Sequence, residues 1–321
     1  MTFRRLLCTA DCLLLTASLS LSVAPSALAG AGMAPDPSKE IGVLVLAHGG
    51  SDRWNRVVQE TVAQAQIKDP TEIAFGMAMH PHEVAAIQRA VRKLEGRGIK
   101  RLVVVPLLIS SASEVMRQYQ YVLGLRDHGP WEKQVERVSV HVPLVMTPPL
   151  DDDPVVSEVL LERAKALSRT SKEEAVVLIA HGPNEDPDNA QWLEVMGRVA
   201  ARLKAMGHFR EVVPVTLRDD ASKPVQEAAT KQIRELIRQQ NEQGRTLVIP
   251  LLLANGGIEA KISQRLKGLS YVYRGAALLP HPKVAQWIAS RVEWAASQAG
   301  IAPRTDGGNR PAAPVAEPGH L

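Results

Sequence analysis

Histidine is the side chain best suited to exchanging protons or holding a first-row metal near neutral pH. Two of the nine histidines in this 321-residue chain occur in matching contexts. His48 ends an apolar run (41–47, IGVLVLA) in Ala47-His48-Gly49-Gly50-Ser51, and His181 ends another (176–180, VVLIA) in Ala180-His181-Gly182-Pro183. They stand 133 positions apart. At a strand end such a residue can accept a proton or bind a metal, and the glycines let a ligand approach closely. A histidine that merely closes a turn is the plain alternative, and its recurrence at the same point of a repeat favours function.

Other candidates fall where strands are expected to end. His80 and His82, in Met79-His80-Pro81-His82-Glu83, follow a strand expected over 73–79. Two histidines so spaced can share an ion from a loop or strand edge, not from one helix face; alternatively His82 and Glu83 open the next helix. After the run 102–109 come Ile109, Ser110, Ser111, Ala112, Ser113 and Glu114. These small residues leave room for a flat ligand, with Glu114 as hard ligand or base. They also fit a capping segment, with Ser111 or Ser113 as cap and Glu114 in the first turn. The repeat offers Asn255, Gly256, Gly257, Ile258 and Glu259. Neither segment has the Lys-Ser/Thr of a P-loop, and both fit GxGxxG poorly, so nucleotide binding is not expected. Arg53, Arg117, Lys261 and Arg265, just past these ends, could pair with substrate carboxylates. His128, His141, His208 and His320 have no partner in the pattern, and His281 belongs to a turn before the last helix. Asp151, Asp152 and Asp153 read as charge at a helix N-terminus.

The elements that must position these groups alternate. Runs 41–47, 102–109, 176–180 and 247–253 are apolar throughout, as in strands buried on both faces of a parallel sheet. Helical spacing covers 53–67, 82–96 and 153–168, with a weaker strand at 135–142. The second half repeats the first: Pro106 matches Pro250 at an offset of 144, and 279–292 matches 146–163 with Pro149 against Pro282. The expected fold is α/β, with two duplicated doubly wound parallel-sheet halves (41–168 and 175–298), a polar connector, and a cleft between them at the carboxyl ends of the strands.

Composition excludes several classes. At 45% hydrophobic and 22% charged residues the chain is globular. With 4% aromatics and dispersed positive charge (net +4), nucleic-acid binding is not expected. Arg4, Arg5, an apolar stretch over 6–23 and Ala27-Leu28-Ala29 read as a secretory signal peptide cleaved after Ala29, with a retained anchor as the alternative. Cys8 and Cys12 both lie within it, so the mature chain, expected to be exported to a periplasm, has no thiol and any metal needs His, carboxylate or backbone oxygen. Residues 30–40 read as a linker and 299–321 as a disordered tail. Nothing predicts a stable membrane span, and the chain is expected as monomer or homo-oligomer.

The ordered set Val43–Ser51, His80-Pro81 and Val103–Ile109, with its duplication, resembles the class II tetrapyrrole chelatases, in the sirohydrochlorin cobaltochelatase/ferrochelatase branch. The resemblance covers about 41–295. It implies insertion of a divalent metal into a tetrapyrrole in the cleft, without nucleotide hydrolysis and with no cofactor beyond the substrate ion (Co²⁺, Fe²⁺ or Ni²⁺). It implies His48 as proton acceptor and metal contact, His80 at a usually acidic position facing substrate, and 109–114 lining the macrocycle. The family's second metal-binding histidine is replaced by Glu114, and by Ile258 followed by Glu259 in the second half. One reading is an exchange that leaves His48, His80 and Glu114 as the metal set and Glu114 as a second catalytic group. Arg53, Arg117, His82 and 109–113 then contact substrate, with His181, Asn255 and Glu259 as second-half candidates. The competing reading is an exported, non-catalytic metal or tetrapyrrole carrier on the same scaffold; a weaker one is a two-lobed solute receptor.

Overall fold

The computed structural model describes residues 41–298. The expected signal segment, linker and tail, both cysteines and His320 lie outside the described residues. The first segment runs β1 (Ile41–Ala47), α1 (Asp52–Gln64), β2 (Thr71–Phe75), α2 (Pro81–Glu95), β3 (Arg101–Leu107), α3 (Glu114–Val122), β4 (Leu144–Met146) and α4 (Pro154–Lys165). The second runs β5 (Ala175–Ala180), α5 (Asp186–Gly207), β6 (Glu211–Thr216), α6 (Lys223–Glu242), β7 (Thr246–Leu251), α7 (Ile258–Arg265) and α8 (Pro282–Ser297).

Both sheets are parallel, with strand orders β2-β1-β3-β4 and β6-β5-β7. β1 and β5 sit centrally because every one of their residues is apolar and buried, leaving no side for water. In the second sheet Val272 makes one parallel bridge to Leu247, next to β7 as β4 lies next to β3. Alternation along the strands divides the core. Val43, Val45 and Ala47 join Val176, Leu178 and Ala180 in one cluster with α1, α4, α5 and α8. Leu44 and Leu46 pack towards α2 and α3, while Val177 and Ile179 pack towards α6 and α7. Helices therefore cover both faces of each sheet, which is the expected doubly wound α/β architecture.

The last helix of each segment crosses over. α4 packs on α5 and β7, while α8 packs on α1 and β3. This exchange is why the central cluster belongs to both sheets at once.

Local differences from expectation have physical causes. β2 ends at Phe75, not 79, because Gly76 (φ +127°) and Ala78 (φ +59°) leave the extended region and the Glu83 carboxylate accepts from the amides of Met77, Met79 and His80. The strand expected at 135–142 is absent. Val135 and Val138 enter the core from irregular chain, Val138 N donates to Val122 O, and pairing begins only at Leu144. Helix α4 starts at Pro154, so its counterpart in the repeat is Pro282, at an offset of 128, and not Pro149.

Candidate functional site

The site grows from two equivalent strand ends. Gly49 (φ +81°) and Gly182 (φ +77°) turn the chain after β1 and β5 in the left-handed region. Space demands glycine as well: a Cβ at 182 would meet the Thr216 side chain at 2.5 Å, and one at 49 would meet Gly76 N at 3.3 Å. The turn fixes each imidazole through its own neighbour. His48 Nδ1 lies 2.6 Å from Gly49 O, and His181 Nδ1 lies 2.9 Å from Gly182 O. A carbonyl only accepts, so we assign the proton to Nδ1 in both rings, and Nε2 is the atom available for chemistry.

The two Nε2 atoms meet different surroundings. His48 is exposed, and its lone pair can take a proton or a cation. His181 Nε2 lies 3.3 Å from Asp220 Oδ2. Both of its ring nitrogens thus face acceptors, so a cation must stand between imidazole and carboxylate: a second ring proton, or a metal ion replacing it. Burial pulls the pKa of His181 down, but the bond to Asp220, the charge of that carboxylate, the Gly182 carbonyl and Asp219 together raise it. The bond to His181 holds Asp220 below the usual carboxylate range against burial, with smaller help from the charges of Lys261 and His48. Asp220 therefore lies within electrostatic reach of both histidines.

His181, Asp219 and Asp220 each offer a donor atom within 4.8 Å of the others, and among the described residues they are the group of three that could hold a metal ion. Asp219 is positioned by ion pairs to Lys261 and Arg265. Arg218, only 9% exposed, ties the same loop down by donating to Pro183 O, Asn184 O and Asp186.

The expected metal set of His48, His80 and Glu114 is not among the groups of three donors that lie within 4.8 Å of one another in the described residues. His80 caps α2 after the loop that the early end of β2 creates, and its ring stacks on His82 with centroids 5.7 Å apart and planes 7° from parallel. Glu114 opens α3 beside Arg117, whose guanidinium is paired with Asp188 of α5 at 3.0 and 2.6 Å. That bidentate pair takes Arg117 away from substrate carboxylates. Lys261 and Arg265 are likewise engaged by Asp219, while Arg53 is exposed in the first turn of α1.

The serine run is structural at each hydroxyl. Ser110 Oγ accepts from Ala112 N, Ser113 Oγ caps α3 through Met116 N, and Ser111 donates through N and Oγ to Asp151 at 2.7 and 2.5 Å. Asp151 thus holds a strand end and is no helix charge; Asp153 is the cap of α4, and Asp152 pairs with Arg198. Ile109 stays half-buried and Ala112 is buried at this edge. In the second half Asn255 bridges Gly275 O and Ala277 N, and Glu259 folds back onto the amides of Gly256 and Gly257. Burial opposes ionisation of Glu259, but the backbone amides and Asn255 outweigh it and lower its pKa. Both are loop-holding residues. His281 caps α8 and meets Glu162 at 2.9 Å, as its turn position implied.

Burial raises the pKa of Asp151 despite its bonds to Ser111. A raised folded-state pKa gives stability that is full below the ordinary value and lost as pH climbs through the raised one. Asp151→Asn has no such loss. Its stability relative to the parent should therefore improve as pH rises above the ordinary carboxylate range, as read from urea midpoints. A difference that stays flat, or falls, would contradict the assignment.

Asp219 and Asp220 were missed from sequence. Asp219 and Asp220 follow β6 as His48 follows β1, but Pro214, tolerated within this edge strand, argues against a strand when only the sequence is read and so conceals its end.

A doubly wound α/β unit used twice, with a histidine at the carboxyl end of the first strand of each sheet, defines the class. The chain belongs to the CbiX family, whose model matches residues 42–167 and again 175–295. It is similar to proteins named sirohydrochlorin cobaltochelatase from Methanosarcina barkeri (18% identical over 128 residues, 40% of this chain and 97% of that one) and Methanopyrus kandleri (24% over 142 residues, 39% and 95%). The fold matches the structure of SirB from Bacillus subtilis with Fe³⁺ at a TM-score of 0.60 and 20% identity, over 81% of this chain and 97% of that one. Among the described residues no helix is long and apolar enough to cross a membrane.

Proposed function

We propose that this chain inserts a divalent metal, Co²⁺ or Fe²⁺, into a sirohydrochlorin-like tetrapyrrole without nucleotide hydrolysis. The observation that carries the reading is an open imidazole, His48 Nε2, at the end of one central strand and a cation-requiring pair, His181–Asp220, at the equivalent end of the other. Metalation needs two pyrrole protons removed and an ion delivered. His48 takes the protons and contacts the entering metal. The substrate ion waits at His181, Asp219 and Asp220, whose imidazole and carboxylate donors suit Co²⁺, Ni²⁺ or Fe²⁺. Arg53 meets a peripheral carboxylate of the macrocycle, and Ile109, Ala112 and His82 line its edge. The names of the relatives support the substrate class, and the signal-like pattern of 1–29 supports a reaction outside the cytoplasm.

The test is a visible-absorbance time course with the protein at sub-stoichiometric concentration, sirohydrochlorin and Co²⁺ or Fe²⁺. Many accelerated turnovers support the chelatase. One stoichiometric spectral shift without acceleration assigns the chain to carriage, and no spectral change leaves a likeness of fold alone.

Asp220→Asn keeps the shape but removes the charge that His181 faces. Co²⁺ affinity, measured by calorimetry without tetrapyrrole, should fall at least about tenfold. Unchanged affinity would place the ion elsewhere.

A further inference from the structure

Gly50 and Gly256 are glycines for a different reason from their neighbours. Gly49 (φ +81°) and Gly257 (φ +116°) need the left-handed region; Gly50 and Gly256 do not occupy it. What Gly50 and Gly256 share is Trp54. A Cβ at Gly50 would stand 3.2 Å from the indole Cγ, and one at Gly256 would stand 3.0 Å from Cδ1. Gly50 follows β1 and Gly256 follows β7, so the indole is gripped by strand-end loops from both segments. It is 8% exposed and meets Phe75 edge-on, with centroids 6.5 Å apart and planes at 75°.

The remaining ring contact of this indole is His48, at 6.3 Å and 55°. The hydrogen bond that holds His48 goes to the carbonyl of the next residue and leaves rotation of the side chain loosely restrained. An indole locked from two sides supplies the missing restraint.

We propose that Trp54 is a positioning residue: clamped by Gly50 and Gly256, its indole fixes the orientation of the His48 imidazole at the end of β1. This rests on the reading of His48 as the base, so the test has one arm that needs no turnover. The variants are Gly256→Ala, Trp54→Leu and Trp54→Phe. Gly256 is exposed, so its alanine keeps the core and only presses on the indole. The first readout is the NMR resonance of the His48 Cε1 proton, assigned with His48→Ala, and its pH titration. The second is kcat and KM with sirohydrochlorin and Co²⁺.

Gly256→Ala is expected to move the His48 resonance and to lower kcat about tenfold, with KM changed less than about twofold. Trp54→Leu should do the same more strongly, and Trp54→Phe should restore most of both. Folded Gly256→Ala and Trp54→Leu proteins with the parental resonance and kcat overturn the proposal. A moved resonance in a protein that never turns over upholds the positioning role and overturns the chelatase reading. Normal turnover with an unmoved resonance does the reverse.

Discussion

His48→Ala should slow metal insertion into sirohydrochlorin about a hundredfold to ten-thousandfold at saturating substrate, the range expected for loss of a positioned proton acceptor. Its effect on stability should stay within about 0.5 kcal/mol. The separation follows from the structure. The ring is exposed, its bond goes to the adjacent carbonyl, and alanine leaves the Gly49 turn and the β1–β3 ladder intact. His181→Ala should behave differently. It strands Asp220 without its partner and removes one of three converging donors, so the requirement for Co²⁺ should rise before the rate at saturating metal falls. Steady-state rates over a Co²⁺ series, with thermal midpoints, separate the two. Full activity in His48→Ala with loss in His181→Ala would move the base to the second segment.

Much of this molecule was legible in its residues. The strands β1 and β5, and β3 and β7 after their first residues Arg101 and Thr246, are continuous apolar runs, and their burial on both faces follows from having no polar side to offer. The His-Gly turn could be read because it recurs, and because glycine there answers a left-handed φ and a close approach. What could not be read depends on contacts distant in sequence. Nothing local says that Arg117 is claimed by Asp188, seventy-one residues away, or that Ser111 is claimed by Asp151. Arginine and serine past a strand end look free until the opposing helix or loop is placed. The end of β2 ahead of His80 was hidden for a related reason. The early end of β2 is enforced by Glu83 reaching back to three amides, a capping arrangement that an alternating hydrophobic pattern does not record. The exchange of α4 and α8 was equally hidden, because an amphipathic helix declares that it has an apolar face and not which sheet receives it.

That exchange makes Trp287 the core position with the largest expected cost. It lies on α8, in the second segment, yet α8 packs on α1 and β3 of the first. Its indole is 4% exposed, within the cluster common to both sheets, and its Nε1 donates to Asp153 Oδ2 at 3.1 Å. Asp153 in turn caps α4, the helix that covers the second sheet. One side chain thus joins the two exchanged helices. Trp287→Ala should cost about 3–5 kcal/mol, as emptied aromatic sites in close-packed cores do, a large share of the about 5–15 kcal/mol typical of a folded domain. Trp287→Phe keeps most of the volume and should cost about 1–2 kcal/mol, chiefly for the lost bond to Asp153. The location of the loss is the sharper expectation. If each segment were a self-sufficient domain, destabilisation would be confined to one sheet. A shared central cluster requires native-state hydrogen exchange of β1 and β5 amides to accelerate together in Trp287→Ala. Protection lost in one strand and retained in the other would mean that the two sheets unfold independently despite the exchanged helices.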